Sequence, residues 1–249
     1  MRKKARIGYI SASNLDELGY DFGHLIPEGV EMVGASPSQP IRLVTLEAIE
    51  AAEAGLDLVA QELARREVDA IVISIAPLVY VKGKGYDKQL IARIERLTGL
   101  PTTTNQTAGI DALRSLGVGR VILLNPNTSD LLEKQVEFFR QSGVQVVAAR
   151  SMDIPDNRDI DRVEEATSYQ FIKEAVTQAP PAHGLYLSGP CWRTLDLIEP
   201  IEQEIGLSVV TALQAMVWAS LRMVGVSEPI SGYGRLMRSS GTEAVEKRP

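Results

Sequence analysis

Cysteine is nearly absent: Cys191 is the only one in 249 residues, which excludes an internal disulfide and any cysteine-rich zinc site. Histidine is as scarce, with only His24 and His183, so no metal site and no metal cofactor is expected. No apolar run approaches the roughly 18 residues of a membrane span. The run after the basic Met1-Arg2-Lys3-Lys4, Ile7 to Ile10, is too short for a signal peptide. A basic excess is missing too: 26 Lys+Arg stand against 32 Asp+Glu, a formal charge of −6, which argues against nucleic acid as the main partner. These absences lead to the expectation of a metal-free, cytoplasmic protein with neither membrane nor nucleic-acid partners. What is present is 45% hydrophobic residues over a length that suits one large domain or two lobes of roughly 120 residues each.

Short apolar runs alternate with longer amphipathic ones, the pattern of an α/β chain with mostly parallel strands. Strands are expected at Arg6–Ser11, Val30–Ala35, Ala70–Ile75, Val121–Asn125, Val144–Ala149 and Gly184–Ser188. Apolar residues at helical spacing predict helices over Leu46–Arg66, Ser129–Ser142 and Arg162–Ala179.

The chain also repeats itself. Gly29-Val30-Glu31-Met32-Val33-Gly34-Ala35 is similar to Gly143-Val144-Gln145-Val146-Val147-Ala148-Ala149, an offset of 114. The same offset superposes the strand ending at Ser74 on the one ending at Ser188, and Arg6-Ile7 on Arg120-Val121. A third match, at 107 to 108, joins Gly99-Leu100…Gln106…Leu113-Arg114…Gly117-Val118 to Gly206-Leu207…Gln214…Leu221-Arg222…Gly225-Val226. Three matches in one order predict two pseudo-symmetric α/β lobes, 1–118 and 119–226, with a tail, 227–249, expected to pack back on the first lobe. Each lobe should be a mostly parallel sheet flanked by helices, with the site in the cleft between them.

Ligands of open α/β sheets sit beyond the carboxyl ends of the strands. Four strand-end loops therefore become candidates: Ser11–Asn14, Ser74–Tyr80, Asn125–Asp130 and Ser188–Thr194. They are rich in Ser, Thr, Asn, Gly and Pro and nearly free of charge, which suits hydroxyl and backbone N–H donors around a small anion. Turn formation alone would select the same residues.

Several segments together resemble the aspartate/glutamate racemase superfamily, on its arylmalonate decarboxylase and maleate cis-trans isomerase branch. They are Ser13-Asn14, Val81-Lys82-Gly83-Lys84-Gly85-Tyr86-Asp87, Gly99-Leu100-Pro101-Thr102-Thr103-Thr104, Ala112–Val118, Arg193-Thr194-Leu195-Asp196 and Gly232-Tyr233-Gly234-Arg235-Leu236. The resemblance implies a cofactor-independent lyase or isomerase for a small carboxylic acid, and members that commonly associate into homo-oligomers. It also implies a catalytic cysteine in each lobe for racemases, or only in the second for decarboxylases. Here those positions are Ile75 and Gly189, and the family's third-loop tyrosine is Asn127. Two-cysteine racemisation is therefore not expected. Asn14 resembles the isomerases' carboxylate-binding asparagine.

Cys191 lies two residues past the second cysteine position, at an expected helix start with Asp196 and Glu199 as a capping box. A helix N-terminus activates a thiol, so Cys191 is the candidate proton donor, with burial as a small hydrophobe the alternative. Asn127 is the second candidate catalytic residue. Ser13, Asn14, Ile75, Ala76, Pro77, Tyr80, Thr128, Gly189, Pro190 and Trp192 are the candidate substrate contacts. Ile75 to Val79 would form an apolar wall against which a carboxylate loses CO2. Arg193 is expected to pair with a carboxylate of the protein, and Gly19–His24 to cover the cleft. Hydrolysis, hydration or isomerisation without cysteine, and carboxylate binding without turnover, stay open.

Overall fold

The computed structural model describes residues 5–12 and 21–239. Two four-stranded parallel sheets organise the chain. The first has the order β2-β1-β3-β4, with β1 Ala5–Ser11, β2 Val30–Ala35, β3 Ala70–Ser74 and β4 Thr102–Thr104. The second repeats that order as β6-β5-β7-β8, with β5 Arg120–Asn125, β6 Gln145–Ser151, β7 Gly184–Leu187 and β8 Ser208–Thr211. The central strands are continuous apolar runs because helices cover both faces of a parallel sheet. β3 is buried throughout, whereas β2 and β6, at the edges, are partly exposed.

The helices are α1 Leu46–Arg65, α2 Ala76–Lys82, α3 Tyr86–Thr98, α4 Asn105–Ser115, α5 Ser129–Gln141, α6 Asn157–Ile160, α7 Glu165–Gln178, α8 Ile198–Ile205, α9 Ala212–Met223 and α10 Gly234–Arg238. Residues 21–25 form one further helical turn. Thr45 caps α1 by accepting from the Ala48 N–H at 3.2 Å. Among the described helices none is long and apolar enough to cross a membrane.

The repeat has a backbone counterpart. The Asp69 N–H donates to the Arg6 carbonyl at 2.7 Å, and the His183 N–H, 114 positions later, donates to the Arg120 carbonyl at 2.9 Å. Thr104 caps α4 and Thr211 caps α9, each accepting from an N–H three residues on, at 3.1 Å. That fixes the offset at 107 where these helices begin. At their ends, Val118 bonds back to Leu113 and Val226 to Leu221, an offset of 108. The change arises because α9 has 12 residues and α4 has 11. It also aligns Gln214 with Thr107, not with Gln106. α4 and α9 pack on each other within a core shared by both sheets, and a second core lies within the first lobe.

The described part of the tail packs on the second lobe, not the first. The Gly234 N–H donates to Glu199 Oε2 at 2.9 Å and the Arg235 N–H to Glu202 Oε2 at 2.8 Å. Glu202 is 3% exposed and also accepts from the Val209 N–H at 2.9 Å. Gly234 has φ +75°, and a Cβ there would stand 2.5 Å from Ile198 Cγ2, so the Gly-Tyr-Gly-Arg-Leu segment is a latch that only glycine closes. Glu199 thus holds the tail instead of forming a capping box.

Candidate active site between the two sheets

The carboxyl ends of β1, β3, β5 and β7 converge on one cavity of about 60 Å³, room for roughly four waters. Of the expected contacts, Ile75, Ala76, Pro77, Tyr80, Asn127, Gly189, Pro190 and Cys191 line it. Ser13 and Asn14 lie outside the described residues, as does most of the expected cover at Gly19–His24. Thr128 and Trp192 are not in the lining. Thr128 is the residue that precedes α5. Trp192 is 2% exposed, donates from Nε1 to Ser168 Oγ at 2.8 Å and packs edge-on against Phe171, so it is a core residue.

The Ser74–Tyr80 segment is not a loop. Ile75 precedes α2, with Pro77 in its first turn, where a missing N–H costs nothing to the helix. One helical turn aims Ile75, Ala76, Pro77 and Tyr80 at the cavity, while Leu78 and Val79 enter the two separate cores. The apolar wall is therefore narrower than a run of five. Cys191 is not at a helix start either: a single 3-10 turn begins at Leu195 and α8 at Ile198. The dipole argument for an activated thiol does not apply. Cys191 is buried at 9% exposure and still lines the cavity. Gly189, at φ +86°, makes the turn that brings it there; a Cβ at Gly189 would meet Pro126 Cγ at 2.9 Å.

Several polar lining residues carry no motif. Asn125 and Ser188 belong to a buried amide chain. The Asn125 Nδ2 donates to Gln135 Oε1 at 2.8 Å, and Gln135 Nε2 donates to Ser188 Oγ at 2.8 Å. Asn125 Oδ1 accepts from the Asn127 N–H at 2.7 Å, and Asn127 Nδ2 donates to Asn157 Oδ1 at 3.0 Å. Asn157 Nδ2 closes on the Ile41 carbonyl at 2.8 Å, so the chain runs from the second lobe into the first. Beside it, Leu43 bridges Asp156, and Arg42 Nη2 meets Asp156 Oδ2 at 3.0 Å. Together these contacts pin one side of the cleft.

At the other side, Asn105 Oδ1 is buried without a hydrogen-bond partner, and Ser74 Oγ is buried as well. Ser74 stands beside the Tyr9 hydroxyl, which also faces Ser11 and Cys191. Burial raises the Tyr9 phenol far above its ordinary range and does the same at Tyr80, whose hydroxyl lies between Gln106 and Gln135. Both phenols are neutral donors at any physiological pH. No Asp, Glu, Lys, Arg or His is among the lining residues described.

Lys82, Arg193 and His24 are not among the lining residues. Lys82 Nζ pairs with Glu53 on α1 at 2.6 Å, Arg193 Nε pairs with Asp161 at 2.7 Å, and His24 is exposed. The misses have a common cause. Asn105, Gln135 and Asn157 are single polar residues in stretches that scan as ordinary helix or turn. The one available signal was the third match, which includes Gln106, the neighbour of Asn105.

Residues 40–237 match the family model described as arylmalonate decarboxylase. An arylmalonate decarboxylase of Bordetella bronchiseptica is 32% identical over 174 residues, 69% of this chain and 72% of that one. A maleate isomerase of Geobacillus stearothermophilus is 25% identical over 201 residues, 78% and 79% of the two chains. Among solved structures, a Gly-to-Cys, Cys-to-Ser double mutant of arylmalonate decarboxylase in the liganded form superposes with a TM-score of 0.85 at 28% identity. That match covers 93% of this chain and 98% of the other.

Proposed function

The chain belongs to the arylmalonate decarboxylase family, and from that premise we propose that it is a cofactor-independent lyase that removes CO2 from a small carboxylic acid and protonates the product through Cys191. The observation that carries this reading is the position of Cys191. The two usual cysteine positions hold Ile75 and Gly189, yet a thiol lines the cavity two residues further on.

The leaving carboxylate lies against Ile75, Ala76 and Pro77, where desolvation favours release of neutral CO2. The electron pair left on the α-carbon spreads onto the neighbouring acyl oxygen, held by the Ser74 and Ser188 hydroxyls. Cys191 gives its S–H proton to the carbon, and solvent restores the thiol. Ile75 has no ionisable group to give or take a proton, so the site does not support two-base racemisation. Assay of CO2 release across substituted malonates tests the reading. Cys191→Ala is expected to lose about 10²- to 10⁴-fold in kcat, the usual contribution of a positioned acid. Unchanged turnover in that variant would remove Cys191 from the mechanism.

A further inference from the structure

A buried thiol that gives up its proton is left as a thiolate, and a buried charge needs a hydrogen-bond donor. No helix begins at Cys191, so a macrodipole does not provide one. The strand register places a phenol there instead. Residues two apart on a strand share a face, so Tyr9 and Ser11 of β1 lie together. β3, paired Tyr9 to Val72 and Ser11 to Ser74, adds Ser74 beside them. Tyr9 and Val72 belong to the core shared by both sheets, which also holds Cys191, whereas Ile10, Ile71 and Ile73 point into the first lobe's own core. The face that carries Tyr9, Ser11 and Ser74 therefore looks across at the second lobe. Tyr9 is 1% exposed, its ring packs edge-on against Phe22 with centroids 4.7 Å apart, and its hydroxyl faces Ser11, Ser74 and Cys191. The residue 114 positions on, Leu123, fills the same register of β5 with a hydrocarbon side chain. Packing alone does not require a hydroxyl on this strand.

We propose that Tyr9 is a positioning residue for the proton transfer: its hydroxyl donates to Cys191 Sγ and offsets the charge that forms there when the thiol protonates the substrate carbon. The proposal rests on the lyase reading for the identity of the proton acceptor and on the strand geometry for the pairing of phenol and thiol. The S–H bond of Cys191 breaks, its proton forms the C–H bond, and the electron pair stays on sulfur. A hydroxyl has one proton to donate and turns about its C–O bond, so the Tyr9 O–H passes from Ser74 to Sγ as the charge forms. Burial keeps that phenol protonated throughout. The charged groups next along the chain, Arg193 and Asp196, form a cluster with Asp161, Asp21 and His24 outside the described cavity lining, and the Tyr80 hydroxyl lies between Gln106 and Gln135. Removing the Tyr9 hydroxyl leaves all of these in place.

The rate of Cys191 alkylation by iodoacetamide as a function of pH, in the full chain without substrate, tests the pairing independently of turnover. Tyr9→Phe keeps the ring and removes only the hydroxyl. It is expected to raise the pH midpoint of alkylation by about one pH unit, the effect of losing one charge-assisted hydrogen bond. Site-specific 3-fluorotyrosine in place of Tyr9 is a stronger donor and is expected to lower the midpoint below that of wild type. Midpoints that coincide, midpoints that move the same way in both variants, or a thiol that does not react in the folded chain would overturn the proposal, since a disturbance of packing has no reason to follow donor strength. If Tyr9→Phe does not fold, the fluorotyrosine variant decides alone, and a midpoint at or above that of wild type overturns the proposal. CO2 release is read separately. Shifted midpoints together with wild-type turnover in Cys191→Ala would refute the lyase reading and leave Tyr9 paired with the thiol. Coincident midpoints together with lost turnover in Cys191→Ala would refute the role of Tyr9 and leave the lyase reading standing.

Discussion

Gln135→Met deletes the middle of the amide chain without leaving a cavity. Gln135 is fully buried, and its side chain joins Asn125 Nδ2 to Ser188 Oγ through two 2.8 Å bonds. Methionine fills a similar volume but returns neither bond. Asn125, 1% exposed, then has a buried N–H₂ without an acceptor, and Ser188 loses its donor. An orphaned buried group costs about 1–3 kcal/mol, so the two together cost about 3 kcal/mol after the gain from burying a thioether. For a chain of this size that lowers Tm by about 6–12 °C. Differential scanning calorimetry reads the shift, and steady-state CO2 release reads the loss of Ser188 and Asn125 orientation as a lower kcat. Gln135→Glu separates the causes: it keeps the acceptor for Asn125 but buries a carboxylate, so its stability should recover on acidification. A Gln135→Met variant within about 0.5 kcal/mol of wild type would refute the claim that this chain is satisfied end to end.

Three further outcomes follow from the same geometry. Gly189→Ala forces a Cβ onto a residue at φ +86° and within 2.9 Å of Pro126, which should cost about 1–3 kcal/mol in urea unfolding and displace Cys191 enough to lower kcat. Asp156 is held below the usual aspartate range by its bonds to the Arg158 and Arg42 side chains. Its folded pKa is depressed, so the stability it contributes is present above the unfolded value of 3.8 and is lost as pH falls through the folded one. Asp156→Asn should therefore show a shallower loss of stability under acid than wild type, followed by circular dichroism. Gly109→Ala places a Cβ 2.6 Å from the Tyr186 hydroxyl in the middle of α4, so despite better helix propensity it should lower Tm.

Much of the fold was legible because the repeat and the apolar runs report the same thing. The matches at an offset of 114 fall on β1 with β5, β2 with β6 and β3 with β7, three of the four strands of each sheet. The fourth strands, Thr102–Thr104 and Ser208–Thr211, were not predicted as strands although the third match runs through both. They are three and four residues long, and threonine there reads equally as a helix cap, which Thr104 and Thr211 also are. The site was legible to the level of segments. Eight of the expected residues meet at the cavity because strand ends of a parallel sheet must converge there. Trp192 follows Cys191 in a candidate loop, but its indole bonds Ser168 and packs in the core. The amide chain was beyond reach from the sequence: Gln135 sits on an amphipathic helix, and only its 0% exposure distinguishes it from a surface glutamine. Asn157 and Ile41 come together from positions 116 residues apart with no shared pattern.

The central claim is that the Cys191 thiol stands in the cleft and delivers the proton. Alkylation of native protein, with modification of Cys191 and CO2 release followed together in the presence and absence of a saturating acid, tests it directly. The account predicts that activity falls in proportion to modified Cys191 and that the bound acid slows both. Fully alkylated protein that still turns over its substrate, or a thiol that reacts only after unfolding, would contradict it.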